Sequence, residues 1–235
     1  ILDFGCGDGG VALELAAAGA QVTALEVDQT KSALLRDAIR PGQDITIVQD
    51  VEKRRARYDA VILLDVIEHL PDAQQALLQL HRLLKPDGFL YLSTPNRLSF
   101  FNALQDPHFS LPFVSLLRRK YVKMLLADLL HWQAKERIDF PQLLSLRQLA
   151  NALASAGFAW HFINARVVHY AWQKPESVLN RESHLALVRL ARKTHLDAFL
   201  EKILTDEVGF FNRWLNPTWY IVAQKKTRAG VKTCF

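Results

Sequence analysis

Cysteine is scarce: Cys6 and Cys234 are the only two in 235 residues. Two thiols build neither a disulfide framework nor a metal cluster, so composition points to a reducing cytoplasm. Cys6 lies in a tight turn and reads as a small packing residue, not a nucleophile. Long apolar runs are missing too, since none reaches the roughly 18–20 residues of a membrane span. There is no internal repeat, no low-complexity tract and no dense basic stripe, although the net charge is +5 and the pI about 9.3. That charge suits an anionic substrate or membrane surface and is also common among soluble enzymes. An initiator Met and a leading helix are also lacking: the chain opens at Ile1, inside an apolar strand. An N-terminal truncation is therefore expected, which leaves a preceding targeting segment open. Half of the residues are hydrophobic, enough for one substantial core, so the chain 1–235 reads as a single domain with embellishments.

What is present begins with Ile1-Leu2-Asp3-Phe4-Gly5-Cys6-Gly7-Asp8-Gly9-Gly10. A strand carrying one carboxylate runs into a glycine-rich turn, and Val11 to Ala18 follows as a helix. Alternate glycines let the backbone turn sharply and approach a ligand. The helix start behind them offers free N–H groups to a polar or anionic ligand. Leu25-Glu26-Val27-Asp28 ends the next strand about 20 residues on, where a Rossmann-type unit places an acid for a ribose diol. The stretch is a nucleotide-type cofactor site with the cofactor still open.

Strand and helix patterns then alternate as in an α/β, Rossmann-like doubly wound sheet. Strands are expected near 1–4, 21–26, 44–49, 58–64, 87–94, 158–168 and 218–224, and helices near 10–18, 29–40, 71–85 and 142–156. Gly19, Pro41-Gly42 and Pro86-Asp87-Gly88 mark helix ends. Two segments exceed ordinary connections, 97–141 after strand five and 169–216 between strands six and seven. Both leave from carboxyl edges, where open α/β folds bind ligands, and long loops there are usually lids or binding elements. The first mixes Phe100, Phe101, Phe109, Phe113 and Leu116 with Arg118, Arg119, Lys120 and Lys123. It reads either as a helical cap packed on the sheet or as a lid over a hydrophobic acceptor, with a peripheral membrane contact through 97–123. In the second, Leu185 to Leu204 repeats apolar residues at helical spacing, as a surface helix does.

Gly5, Gly7 and Gly10 satisfy the dinucleotide pattern G-x-G-x-x-G, which alone is weak. The same residues read Asp3-x-Gly5-x-Gly7-x-Gly9, which resembles motif I of the class I S-adenosylmethionine-dependent methyltransferases. Ile45 to Val51, Tyr58 to Leu70 and Leu83 to Asn96 resemble that family's later motifs in the same order. The resemblance is closest to the small-molecule branch that includes the ubiquinone-biosynthesis O-methyltransferases. It is strong over 1–96, the cofactor-binding half, and weak over about 142–165 and 217–226. It implies a seven-stranded sheet with the last strand antiparallel, and S-adenosylmethionine as cofactor.

By that resemblance, Asp3 neutralises the cationic end of the methionyl group, and Gly5, Cys6 and Gly7 form the turn beside it. Glu26 holds the ribose hydroxyls, Asp50 faces the adenine amine, and Val27 and Val51 sandwich the ring. Leu64 and Asp65 lie beside the methionyl amine. The acceptor is expected to be small or lipophilic, with O or C favoured over N, and no nucleic acid. His69 is the candidate base, a role that matters only if an oxygen must lose a proton; a histidine there equally orients its loop. Glu68 and His69 alone are a weak metal signal, and no metal is expected. His108 and His131 read as structural or surface residues. A nicotinamide-dependent oxidoreductase, a nucleic-acid methyltransferase and a non-catalytic cofactor-binding subunit stay open as alternatives.

Overall fold

The computed structural model describes residues 1–51, 57–132, 139–177 and 182–225. Seven strands form one sheet: β1 (Leu2–Phe4), β2 (Val22–Leu25), β3 (Ile45–Val48), β4 (Tyr58–Leu64), β5 (Leu84–Pro95), β6 (Phe158–Phe162) and β7 (Thr218–Lys225), in the order β3-β2-β1-β4-β5-β7-β6. The first five pair in parallel, and β7 runs antiparallel to both β5 and β6. The strand order reverses beside β1, whose carboxyl end therefore opens at the switch point where such sheets bind ligands.

Helices α1 (Gly10–Ala17), α2 (Gln29–Ala38) and α3 (Ala73–Leu83) connect the first strands, and α6 (Leu146–Ser155) follows the first insertion. That insertion holds α4 (Phe100–Leu104) and α5 (Arg119–Lys123), the latter running into a π-helical turn, Met124–Leu129. Beyond β6 lie α7 (Asn164–Gln173), α8 (Glu182–Lys193) and α9 (Leu196–Ile203). Leu77 and Leu80 of α3 and Leu149 and Leu153 of α6 are fully buried with Leu63, Leu90, Leu92, Trp219 and Ile221 of the sheet. A second cluster joins Ala12 and Ala16 to Val22, Ala24 and Leu35. Strand side chains alternate between faces, so Asp3 points away from Leu2 and Phe4, toward α1. The first insertion has a core of its own, built on Val114, Val122, Leu126, Ala127 and Phe140.

Four features differ from the sequence reading. The strand expected to reach residue 168 stops at Phe162, because the Asn164 side chain turns the chain there. Its Oδ1 accepts the Tyr220 N–H (2.7 Å), and its Nδ2 donates to Asn212 Oδ1 (2.9 Å). The β-branched pair Val167-Val168 then sits in α7, where tertiary contacts override strand preference. The helix expected from Gln142 begins at Leu146, since Ser145 and Gln148 form a reciprocal capping box. Pro86-Asp87-Gly88 does not separate helix from strand but lies inside β5, where the register with β4 shifts between Tyr58 and Ala60. The single helix pattern over 185–204 is split at His195, whose φ is +56°.

Candidate active site

The glycine turn is built by β2. Leu25 O accepts the N–H groups of both Gly5 (2.9 Å) and Cys6 (3.0 Å), which folds the chain back over the strand ends. Gly5 has φ +80°, and a Cβ there would lie 2.6 Å from Val66 Cγ2, in the loop after β4. Glycine is thus required by backbone angle and by space at once. Gly7 has φ +59°, but among the described residues nothing lies within 4 Å of its would-be Cβ. Cys6 is half-buried against the α1 cluster, and burial, then Asp3 and Glu26, push its thiol up to about 12. It packs against that cluster, and a pKa so far above neutrality leaves little thiolate.

Two carboxylates flank this turn. Asp3 is 4% exposed, and its Oδ2 has no hydrogen-bond partner among the described residues. Burial first, and the Glu26 charge further, raise its pKa to about 6 against the pull of the Ala12 N–H. An unpaired buried acid of this kind is costly unless a cation or donor meets it. Glu26 is buried as well, and its two oxygens accept Gly7 N–H (2.9 Å) and Asp28 N–H (2.8 Å). Each oxygen keeps a second lone pair, enough for a vicinal diol. The capping of α2 falls to Asp28, which takes the Thr30 and Lys31 N–H groups, so Glu26 is no helix cap. Val27 is 76% exposed at the end of β2, whereas Val51 is buried in the main core and Asp50 is exposed beside it.

At the carboxyl end of β4, Leu64 is half-buried and Asp65 is exposed with φ +52°, a left-handed conformation rare outside glycine. Ser93 of β5 holds it: the Asp65 N–H donates to Ser93 O (3.1 Å), and Ser93 Oγ donates to Asp65 Oδ1 (2.8 Å). Residues held in this way by their surroundings cluster at functional sites, and this one lies at the carboxyl end of a central strand. Its place in the fold agrees with the sequence reading; the strain does not show in the sequence.

His69 follows in the same loop, and its Nδ1 lies 2.7 Å from Asp139 Oδ1. Asp139 was not foreseen: it is 70 positions away, and no spacing links the two. His108, a structural or surface residue by sequence, is brought by the first insertion to 5.1 Å from the ring of His69, edge to face. Its Nε2 stands 3.9 Å from Glu68 Oε1. Glu68 is buried and takes the Thr94 hydroxyl on Oε2 (3.0 Å), while burial above all pushes its pKa to about 7. Burial, with His69 adding to it, lowers His108. Glu68, His69 and His108 offer ligand atoms within 4.8 Å of one another, a set able to hold a divalent ion. The sequence reading expected no metal because it had only the first two. Arg119 and Gln142 pin the loop: the Arg119 guanidinium donates to Glu68 O (2.9 Å) and Leu70 O (3.0 Å), and Gln142 N–H to Glu68 O (2.7 Å). His131 lies apart, its Nδ1 on Ala127 O.

The residues present fit S-adenosylmethionine. Asp3 lacks the cation that its burial calls for, Gly7 leaves room at the turn, and Glu26 has lone pairs to spare. Residues 52–56, the charged stretch that follows Asp50 and Val51, lie outside the described residues.

Comparison with known proteins points the same way. The family described as "Methyltransferase domain" matches residues 1–161. A ubiquinone biosynthesis O-methyltransferase of Pseudomonas aeruginosa is 35% identical over 103 residues, 41% of this chain and 44% of that protein. The one of Salmonella paratyphi A is 38% identical over 104 residues, 41% of this chain and 43% of its own length. The match therefore spans less than half of these relatives. Among solved structures, an S-adenosylmethionine dependent methyltransferase from Mesorhizobium loti has a TM-score of 0.59 at 16% identity, covering 95% of this chain and 89% of that one. A methyltransferase from Methanosarcina mazei gives 0.52 at 16% identity, covering 95% and 91%. These two likenesses speak for the fold, and the match over 1–161 for the family. The chain belongs to the methyltransferase-domain family.

Proposed function

We propose that the chain transfers a methyl group from S-adenosylmethionine to a hydroxyl oxygen of a small, lipophilic acceptor. The observation that carries the oxygen is the His69–Asp139 pair at 2.7 Å, set at the β4 edge beside the glycine turn. The name of the partial relatives, ubiquinone biosynthesis O-methyltransferase, supports the same acceptor atom.

The bound cofactor supplies an electrophilic methyl on a sulfonium. Asp3 would receive the ammonium of its methionyl end, the turn at Gly5, Cys6 and Gly7 would border that chain, and Glu26 would take the ribose diol. Asp50 would face the adenine amine and the exposed Val27 the ring, whereas Val51 is buried in the main core. Leu64 and Asp65 would border the methionyl amine. Asp139 holds His69 so that Nε2 is free to take the acceptor's hydroxyl proton, and the imidazolium that forms is stabilised by the carboxylate. General-base help of this kind contributes about 10²–10⁴-fold. Alignment of the two reactants in a dry cavity contributes more, about 7–11 kcal/mol in favourable cases. The insertions 97–141 and 169–216 would supply that cavity and the acceptor contacts.

The test is labelled-methyl transfer into fractionated lipid and metabolite extract, comparing the chain with Gly7→Arg and His69→Ala. An alkali-stable label in a phenol or enol fraction, lost in both variants, supports the reading. Label in protein or nucleic acid, or label that survives Gly7→Arg, contradicts it.

A further inference from the structure

We propose that Arg119 is the positioning residue for His69, fixing the main chain on both sides of it so that its ring meets Asp139. The loop after β4 closes in two successive turns: His69 N–H donates to Val66 O (2.9 Å), and Leu70 N–H to Ile67 O (3.3 Å). The carbonyls of Glu68 and Leu70, on either side of His69, are satisfied from outside the loop. Nη2 of the Arg119 guanidinium donates to both, at 2.9 Å and 3.0 Å. Glu68 O also accepts the Gln142 N–H (2.7 Å). One amino group thus spends both hydrogens on the two peptides that bracket the histidine.

Three cations follow one another here, and only the middle one turns inward. Arg118 and Lys120 are exposed, whereas Arg119 is half-buried with its Nε out of water. Among the described residues it forms no ion pair. A cation drawn partly out of water must recover its lost hydration from the protein, and here two main-chain carbonyls supply it in place of a carboxylate. The insertion's own core fixes the rest. Val122, one turn after Arg119, and Phe140, between Asp139 and Gln142, are buried in the same cluster. The Arg119 N–H in turn donates to Gln142 Oε1 (2.6 Å). Arg119, Asp139 and Gln142 therefore belong to one packed unit. Arg119 and Gln142 hold the main chain about His69, and Asp139 holds the ring.

The ring's chemistry depends on that placement. A carboxylate only accepts hydrogen bonds, so the contact with Asp139 puts the proton of a neutral His69 on Nδ1 and leaves the lone pair on Nε2. The tautomer thus depends on the ring reaching Asp139, and the reach depends on where Arg119 sets the backbone. The consequence for catalysis rests on the reading of His69 as the base. A reacting group displaced by about 1 Å costs on the order of 10²-fold in rate. Cofactor binding draws on Asp3, Gly5, Gly7 and Glu26 instead and should not register the change.

The experiment compares Arg119→Met, which keeps an apolar stem and removes the donors, with Arg119→Lys, which keeps donors on a shorter stem. Labelled-methyl transfer at saturating S-adenosylmethionine, into the extract fraction that accepts label, is measured beside calorimetry with S-adenosylhomocysteine and thermal unfolding. Arg119→Met is expected to lower the rate on the order of 10²-fold with S-adenosylhomocysteine affinity unchanged, and Arg119→Lys to recover part of the loss. In the His69→Ala background, Arg119→Met should change the rate by less than about two-fold, because the group it places is gone. Nitrogen NMR of the histidine-labelled chain at alkaline pH, with the His69 signal assigned by its loss in His69→Ala, should show the Nδ1–H tautomer, shifted toward Nε2–H in Arg119→Met. Should Arg119→Met fail to fold, Arg119→Lys carries the same readouts, with a smaller loss of the same kind expected. An unchanged tautomer, an unchanged rate, or losses that multiply with that of His69→Ala overturn the proposal. So does a parallel loss of S-adenosylhomocysteine affinity, which assigns Arg119 to the fold of the whole sheet edge. The tautomer readout uses no turnover: if His69→Ala keeps its rate, the reading of His69 as base falls, and the NMR still decides the placement by Arg119.

Discussion

Replacing Asp3 by Asn separates what this carboxylate does for folding from what it does for the ligand. The acid is buried with one oxygen unpartnered, and its pKa is raised from 3.8 to about 6. Keeping it ionised in the ligand-free protein costs about 3 kcal/mol, at 1.36 kcal/mol per pH unit between the two values. The folded state holds this proton more tightly than the unfolded chain. The penalty is therefore absent below about pH 4, grows between 3.8 and about 6, and is complete above that. Asparagine keeps an oxygen for the Ala12 N–H and carries no charge. Urea unfolding of the ligand-free proteins at pH 7.5 should thus show Asp3→Asn more stable than the original by up to about 3 kcal/mol, with the gap closing as the pH falls toward 4. Binding should move the other way: S-adenosylhomocysteine should bind the variant about 10–100-fold more weakly, since a charged hydrogen bond is worth about 1.5–3 kcal/mol. A variant less stable at pH 7.5, or one that binds S-adenosylhomocysteine as well as the original, would refute the reasoning.

Four further outcomes follow. Gly5→Ala should destabilise strongly, because its Cβ would lie 2.6 Å from Val66 Cγ2, whereas Gly7→Ala should cost only the left-handed backbone, about 1 kcal/mol; thermal unfolding of the pair measures the difference. Glu26→Gln leaves one of two backbone N–H groups, Gly7 or Asp28, without its acceptor, and should lower stability by about 1–3 kcal/mol along with cofactor affinity. His69→Ala should lower kcat about 10²–10⁴-fold and Asp139→Asn by less, with S-adenosylhomocysteine affinity unchanged in calorimetry. Dialysis against EDTA should leave turnover intact if His69 is the base; loss restored by a divalent ion would assign Glu68, His69 and His108 to a metal.

The cofactor half was readable from the sequence because its chemistry is local. The turn from Asp3 to Gly10 is one contiguous stretch, and Glu26 lies a single β-α-β step away, so both sides of the Gly7–Glu26 hydrogen bond follow from one repeat unit. The antiparallel last strand was likewise legible from the family resemblance, and the sheet order agrees. The acceptor side was not. Asp139 meets His69 across 70 positions, and His108 reaches Glu68 only through the folding of the first insertion. No periodicity encodes such encounters. The capping signal Ser145-Leu146-Arg147-Gln148, by contrast, was present in the sequence and placed the start of α6 four residues beyond Gln142. The end of β6 was missed for a subtler reason. Val167 and Val168 favour strand, and the Asn164 side chain that turns the chain finds its partners, Tyr220 and Asn212, only in the folded state.

The central claim is that the turn at Asp3, Gly5 and Gly7, with Glu26 beneath it, binds S-adenosylmethionine. Titration calorimetry with S-adenosylhomocysteine, run on the chain and on Gly7→Arg and repeated with NADH, tests it most directly. The account predicts one site for S-adenosylhomocysteine, lost in Gly7→Arg while thermal unfolding still shows a folded protein, and no heat with NADH. Tight NADH binding without S-adenosylhomocysteine binding, or equal S-adenosylhomocysteine affinity in both proteins, would contradict it.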